Sequence, residues 1–178
     1  MSAIDLVILG NLQNGPQSAY EMKKELESQN IRNWVKIGIP TVYQNMIKLH
    51  RNGFLDAKAV KEGEMPEKTV YTINQKGIFR FQELMEKYST EINSIYFDFC
   101  SFVANLDHVD KAEGLEMIAN LQQQFHHKKV LLEQEVQKKN NLPVHTLSLI
   151  QLYRGLFTYL DDWSGELRKN YQEEKQQS

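Results

Sequence analysis

Apolar residues run first as a solid block, then as helical stripes, then as two short strand-like runs, and finally as helical stripes again. Ile4 to Leu12 is almost wholly apolar, which predicts a helix buried on most of its surface. Asn14-Gly15-Pro16 breaks it, and Ser18 can cap a second helix to about Ser28 with Ala19, Met22 and Leu26 inward. A third helix runs from Pro40, suited to a first turn, to Gly53, suited to a left-handed stop. Its inward stripe is Val42, Met46 and Leu49. Phe54 to Val60 and Thr69 to Ile73 read as two strands around the polar turn Lys61 to Lys68, and Asn74 caps a helix to about Tyr88.

Beyond residue 88 the pattern is helical throughout. Glu91 to Leu106 carries Ile92, Ile95, Phe99, Phe102 and Leu106 on one side, with Tyr96 and Val103 beside them. Asp110 can cap a long helix to about Lys139 with Leu115, Ile118, Phe125, Leu132 and Val136 inward, a stripe interrupted by Gln122 and Lys129. Asn140-Asn141-Leu142-Pro143 ends it. The last helix, about Val144 to Tyr171, has two stripes: Leu149, Leu152, Leu156, Leu160, Trp163 and Leu167, and Ile150, Tyr153 and Phe157. One stripe can face a neighbouring helix and the other calls for a second copy of the chain. The expected architecture is mainly α with a small β-hairpin wing. A winged helix-turn-helix spans residues 1–88 and an all-helical dimerisation domain spans 89–178.

The third helix has an unusual outer face. Thr41, Gln44, Asn45, Lys48 and Asn52 lie opposite the apolar stripe, and the helix contains no acid. Amides and hydroxyls both donate and accept toward base edges, and an α-helix fits the major groove of double-stranded DNA. Gln44 and Asn45 are the candidates for base contact, with Thr41 and Lys48 for phosphate or guanine and Tyr43 for phosphate through its hydroxyl. Ser18 and Tyr20, at the start of the second helix, would position the DNA backbone. Lys61 and Lys68 are the candidates on the wing.

In order and spacing these segments resemble the PadR family of transcriptional regulators. The resemblance rests on Ile8-Leu9-Gly10, Gly15-Pro16 and Ser18-Ala19-Tyr20-Glu21-Met22. It continues through Pro40-Thr41-Val42-Tyr43, Leu49, Gly53-Phe54-Leu55 and Lys68-Thr69-Val70-Tyr71-Thr72-Ile73-Asn74-Gln75-Lys76-Gly77. It covers roughly the first half. Arg154-Gly155, Asp162-Trp163 and the overall length make the second half similar to the helical dimerisation domain of longer PadR members and of AphA-like virulence activators. The resemblance implies a DNA-binding homodimer, backbone contacts from Tyr20 and Tyr43, and repression, with activation as the AphA-like alternative. Two positions depart from the family pattern. Glu62, Glu64 and Glu67 outnumber Lys61 and Lys68 in a wing that is often basic, and Asn74 stands where threonine is more usual.

Composition narrows the picture. With 41% hydrophobic residues the chain can bury a real core. No apolar run is long enough for a transmembrane helix, and Met1-Ser2-Ala3-Ile4-Asp5 lacks the basic start of a secretory signal, so a cytoplasmic protein is expected. The single cysteine, Cys100, sits among Phe97, Phe99 and Phe102 and reads as a packed thiol. Residues 1–88 hold 12 Lys and Arg against 10 Asp and Glu, and residues 89–178 hold 9 against 13, so a front half of +2 and a back half of −4 make the net −2. DNA affinity should then be moderate and fall with salt.

His126 and His127 are adjacent, point about 100° apart on a helix, and read as solvated. Of Asp161-Asp162, one reads as surface and one as a salt-bridge partner. No nucleophile elbow, P-loop, dinucleotide fingerprint or paired-cysteine zinc motif occurs, so neither enzyme activity nor a cofactor or metal is expected. The aromatic residues Tyr96, Phe99, Tyr153, Phe157 and Trp163 could line a small-molecule effector pocket at a dimer interface, or simply be core. Two rival readings stay open: a winged module that binds protein instead of DNA, and a small-molecule carrier built on the same aromatic cluster.

Overall fold

The computed structural model describes residues 3–29, 31, 35, 39–61, 66–92, 94–138 and 142–174. The acidic wing tip (Glu62, Glu64, Met65), the inward placement of Val136 and the Asn140–Asn141 break fall outside the residues or side chains described. The chain divides into two compact units, Met1–Ser94 and Ile95–Ser178.

In the first unit, α1 (Ala3–Asn11), α2 (Ala19–Ser28) and α3 (Ile39–Arg51) precede the hairpin β2 (Leu55–Val60) and β3 (Lys68–Ile73), and α4 (Gln75–Thr90) closes it. A two-residue strand β1 (Gln17–Ser18), which the hydrophobic pattern does not reveal, pairs antiparallel with β3. The sheet order is β1-β3-β2, with Leu55 opposite Ile73 and Val60 opposite Lys68. Ile4, Ile8, Leu9, Leu12, Met22, Leu26, Val42, Met46, Leu49, Leu55, Tyr71 and Leu84 form one core. The inward stripes of α2 and α3 therefore meet as the spacing predicts. This is a winged helix-turn-helix.

The end of α3 is fixed by its own chemistry. Gly53, at φ 76°, takes the left-handed conformation that a side chain disfavours. Its N–H donates to His50 O at 2.9 Å and the Phe54 N–H to Leu49 O at 3.0 Å, which stops the helix and turns the chain into β2. Asn74 caps α4: its Oδ1 accepts from the Gly77 N–H at 3.1 Å while its Nδ2 donates to Gly53 O at 3.1 Å. Gly77 is buried against this turn, where a Cβ would stand 2.2 Å from Phe54 O.

The second unit is built on an antiparallel pair, α6 (Lys111–Lys138) and α7 (Val144–Glu173), preceded by the short α5 (Phe99–Val103) and a 3-10 turn at Leu106–His108. Ile150, Leu160 and Ser164 on α7 are buried and Tyr153, Phe157, Leu167 and Tyr171 half-buried, a strict alternation of three- and four-residue steps. On α6, Ile118 and Phe125 are buried and Leu132 half-buried, one every seven residues. The two stripes expected on α7 are thus redistributed: Ile150, Tyr153, Phe157, Leu160 and Leu167 face inward, whereas Leu149 and Leu152 are exposed. A helix that supercoils against one partner keeps a 3.5-residue repeat, and the straight 3.6-residue reading drifts off it.

Two further expectations are corrected. Glu91 to Leu106 is not one helix, because α4 ends at Thr90 and α5 begins only at Phe99. Thr90, Ile92, Ile95, Tyr96 and Phe97 have low helix propensity, and Ile92, Ile95 and Tyr96 are exposed, with no apolar surface over them among the described residues. Cys100 is exposed, not packed, since α5 turns Phe99 and Phe102 inward and Cys100 away. Among the described residues no helix is long and apolar enough to cross a membrane.

Gly77→Ala should destabilise the first unit by about 2–3 kcal/mol, because the intruding Cβ meets backbone rather than a movable side chain. Gly10→Ala, whose Cβ would meet only the Phe81 ring at 3.2 Å, should cost far less. Urea unfolding of both variants checks the ranking.

Candidate nucleic-acid interface

The outer face of α3 follows from its core face. With Val42, Met46 and Leu49 buried, the positions farthest from the core are Gln44, Ile47 and Arg51, with Thr41 and Lys48 beside them, all exposed. Arg51 is a residue the sequence reading passed over. It stands two turns below Gln44 on the same line, and a plot at 100° per residue would have found it. Asn45 lies nearer the flank, half-buried, with its Nδ2 donating to Thr41 O at 2.8 Å. It is therefore less available than Gln44. His50 is tied down by a 2.8 Å hydrogen bond between Nδ1 and Leu55 O and packs edge-on to Tyr71.

A recess of about 900 Å³ opens beside this face. The start of α2 contributes Tyr20 and Lys24, α3 contributes Tyr43, and the root of the wing contributes Pro66, Lys68 and Tyr71. Tyr20 is 61% exposed, and Tyr43 is partly exposed. The structure thus brings together Tyr20, Tyr43 and Lys68 from the sequence-predicted set. Lys61 is exposed just beyond β2 and does not line the recess.

Ser18 fulfils the capping role that its position predicts. It is 5% exposed, and its hydroxyl caps α2. Ser18 N–H and Oγ–H both donate to Glu21 Oε2 at 2.8 Å, and the Glu21 N–H returns a 3.3 Å bond to Ser18 Oγ. The other oxygen, Oε1, accepts from Lys68 Nζ at 3.0 Å. The Ser18 backbone bond, the Ser18 hydroxyl and then Lys68 hold the Glu21 carboxyl down from 4.5 to about 2. The S-x-x-E spacing of this capping box is legible in the sequence, whereas its link to Lys68 is not.

In the second unit, Phe99 lies 5.1 Å from Phe125 and 5.8 Å from Trp163, and Phe125 lies 6.4 Å from Phe157, centroid to centroid. Of the expected pocket residues, Phe99, Phe157 and Trp163 join one cluster through Phe125, Tyr153 is half-buried, and Tyr96 is 86% exposed. His126 is more than a solvated histidine, because its Nδ1 meets Asp161 Oδ2 at 3.1 Å, with Lys129 Nζ at 3.5 Å. Asp161 is 8% exposed, so Lys129 interrupts the apolar stripe in order to neutralise a buried acid, and Asp162 is the surface residue. Among the described residues no group of histidines, cysteines and acids could hold a metal ion.

Residues 8–83 match the transcriptional regulator PadR-like family. No curated protein matches the chain by sequence. Bacillus subtilis PadR, solved in complex with operator DNA, superposes with a TM-score of 0.77 at 16% identity, covering 94% of this chain and 98% of that one. The same protein solved with p-coumaric acid gives 0.75 at 13% identity, over 96% of each chain. The Vibrio cholerae virulence activator AphA gives 0.70 at 15% identity, over 94% of this chain and 97% of that one. At such identities the likeness is one of fold, and it runs nearly end to end.

Because its folded pKa is depressed, Glu21 adds stability above pH 4.5 that disappears as pH falls toward 2. Glu21→Gln, which can keep the capping box, should therefore show a shallower loss of urea stability over that interval than the wild-type protein. Equal slopes would show that Glu21 does not titrate low. Residues 8–83 thus carry a PadR-like transcriptional-regulator domain, within a fold that follows the solved PadR structures over nearly the whole chain.

Proposed function

We propose that this protein is a sequence-specific DNA-binding repressor that acts as a homodimer on an inverted-repeat operator and is released by a small-molecule effector. The observation that carries the reading is the outer face of α3: Thr41, Gln44, Ile47, Lys48 and Arg51 stand exposed together, with no acid in the helix. Gln44 offers its amide to a base edge, Ile47 can meet a thymine methyl, and Lys48 and Arg51 suit phosphate or guanine. Asn45 supports Thr41 and contributes at the flank. Tyr20 and Tyr43 present hydroxyls to the backbone strand beside the recess, and Lys61 serves the wing. Ser18 acts by holding the start of α2. The first unit reads DNA and the second dimerises.

The dimer reading draws on α7. Leu152 and Tyr159, 63% and 66% exposed, flank Gly155, where an added Cβ would meet nothing. An apolar strip of this kind on a long helix suits a second copy of the same helix. Two α3 helices related by a twofold axis must stand about 34–36 Å apart to enter successive major grooves. An effector that favours another dimer geometry would therefore release DNA. The aromatic cluster of Phe99, Phe157 and Trp163, with Tyr153 and Tyr96 near it in sequence, is the proposed seat of that effector. Its aromatic character fits the p-coumaric acid found on Bacillus subtilis PadR. Acting on DNA, the protein works in the cytoplasm.

Fluorescence anisotropy with DNA from upstream of the protein's own gene, and with genomically selected fragments, tests DNA reading. Binding should survive excess random DNA and fall by at least about 30-fold in the Gln44→Ala/Asn45→Ala variant, since each good bidentate base contact is worth roughly 1–3 kcal/mol. Failure to select any DNA would favour a protein-binding module. Leu152→Asp/Tyr159→Asp should convert the dimer to a monomer by light scattering and weaken operator binding with it. A wild-type protein that is already monomeric when bound to its site would refute the dimer.

A further inference from the structure

The carboxylate of Glu21 stands in the recess beside the reading face, where a DNA reader would be expected to show only positive or neutral groups. It lines the recess together with Tyr20, Lys24, Tyr43, Lys68 and a second acid, Glu67 at the wing root. One oxygen is held by Ser18 and the other reaches Lys68 Nζ at 3.0 Å. Lys68 is the first residue of β3, at the root of the wing, and lies 47 positions along the chain from Glu21. The capping box aims the acid, because Oε2 is fixed by two short bonds to one residue and Oε1 is left pointing across the recess. Both charged side chains remain partly open to water, at 45% for Glu21 and 35% for Lys68.

We infer that Glu21 is a built-in substitute for phosphate: it neutralises Lys68 at the wing root and so keeps the sequence-independent part of DNA affinity low. This rests on the DNA-reading function above. A carboxylate and a phosphate oxygen present the same acceptor to an ammonium. A lysine already paired releases few counterions when DNA arrives, so it adds little to affinity or to its salt dependence. A first unit with a net charge of only +2 over residues 1–88 can then depend on α3 for discrimination, with little of its grip on DNA supplied by backbone charge. Glu21 is a positioning residue in this account. It touches no base and acts through Lys68.

The full-length protein titrated on operator and on random duplex from low to near-physiological salt tests the inference. Glu21→Gln keeps the helix cap, because glutamine serves at that position of a capping box. It should bind both duplexes about five- to tenfold tighter at low salt, with the slope of log affinity against log salt steeper by about 0.9, the value for one added phosphate contact. Lys68→Gln alone should weaken wild-type binding less than twofold, and Glu21→Gln/Lys68→Gln should lose the gain. If Glu21→Gln leaves affinity and slope unchanged, Lys68 is not masked and the inference is wrong. It is equally wrong if the double variant keeps the gain, since loss of negative charge alone would then explain it, or if Lys68→Gln alone costs tenfold. A cooperative thermal transition well above the assay temperature in all variants excludes misfolding, and Lys68→Gln remains a check that does not disturb the cap. A wild-type protein that binds neither duplex would overturn the DNA-reading function and this inference with it.

Discussion

The reading face depends on the turn at Gly53 and Phe54. There the carbonyls of one short stretch serve three elements at once. Gly53 and Phe54 close α3, Asn74 Nδ2 takes Gly53 O, and the Asn74 N–H reaches Phe54 O at 3.3 Å. Gly77 then lets α4 start against that same carbonyl. The end of α3, the strands of the wing and the closing helix are fixed relative to one another by polar backbone groups whose desolvation cannot be avoided, only satisfied. The apolar core beneath supplies most of the stabilisation, but it is non-directional. Direction comes from this turn.

Around that frame the polarity of the surface is divided. The outer face of α3 carries amide, hydroxyl and positive groups without acid, while the exposed acids described in the first unit lie on α2, the hairpin, α4 and the residue after it, and Asp5 is buried on α1. Glu21 and Glu67 are the acids that line the recess, and the Glu21 carboxylate is held by Ser18 and Lys68. In the second unit polarity is used inside the helix pair. Asp161, paired with His126 and Lys129, ties α7 to α6 beside the seam of Ile150, Leu160 and Ser164.

Much of the first unit could be read from residue order alone. The caps at Ser18 and Asn74, the stop at Gly53 and the stripe Val42-Met46-Leu49 are local signals, and local signals survive in a linear pattern. What escaped was long-range. The strand at Gln17–Ser18 exists only because β3 lies beside it, and the engagement of Ser18 and Lys68 with Glu21 needs residues 47 apart to meet. Asn45 was placed too far out and Arg51 was missed because the core direction is set by packing, not by counting polar residues. Between α4 and α5 the expected helix does not continue, since a periodic apolar stripe forms a helix only where something covers it. The partition of α7 failed because a supercoiled pair shifts the period. For the site, the sequence pointed to α3 and the two tyrosines, and the structure supplied the recess between them.

The central claim is that α3 of a twofold dimer reads bases in the major groove. Dimethyl sulfate protection on a genomically selected fragment tests it most directly, because the reagent reports guanine N7 in that groove. The account predicts protected guanines in two half-sites about one helical turn apart, ~34–36 Å between centres, related by inverted symmetry. It also predicts that Lys48→Ala/Arg51→Ala removes protection in both halves together. Tight binding with no N7 protection, or protection in a single half-site by a dimer, would contradict it.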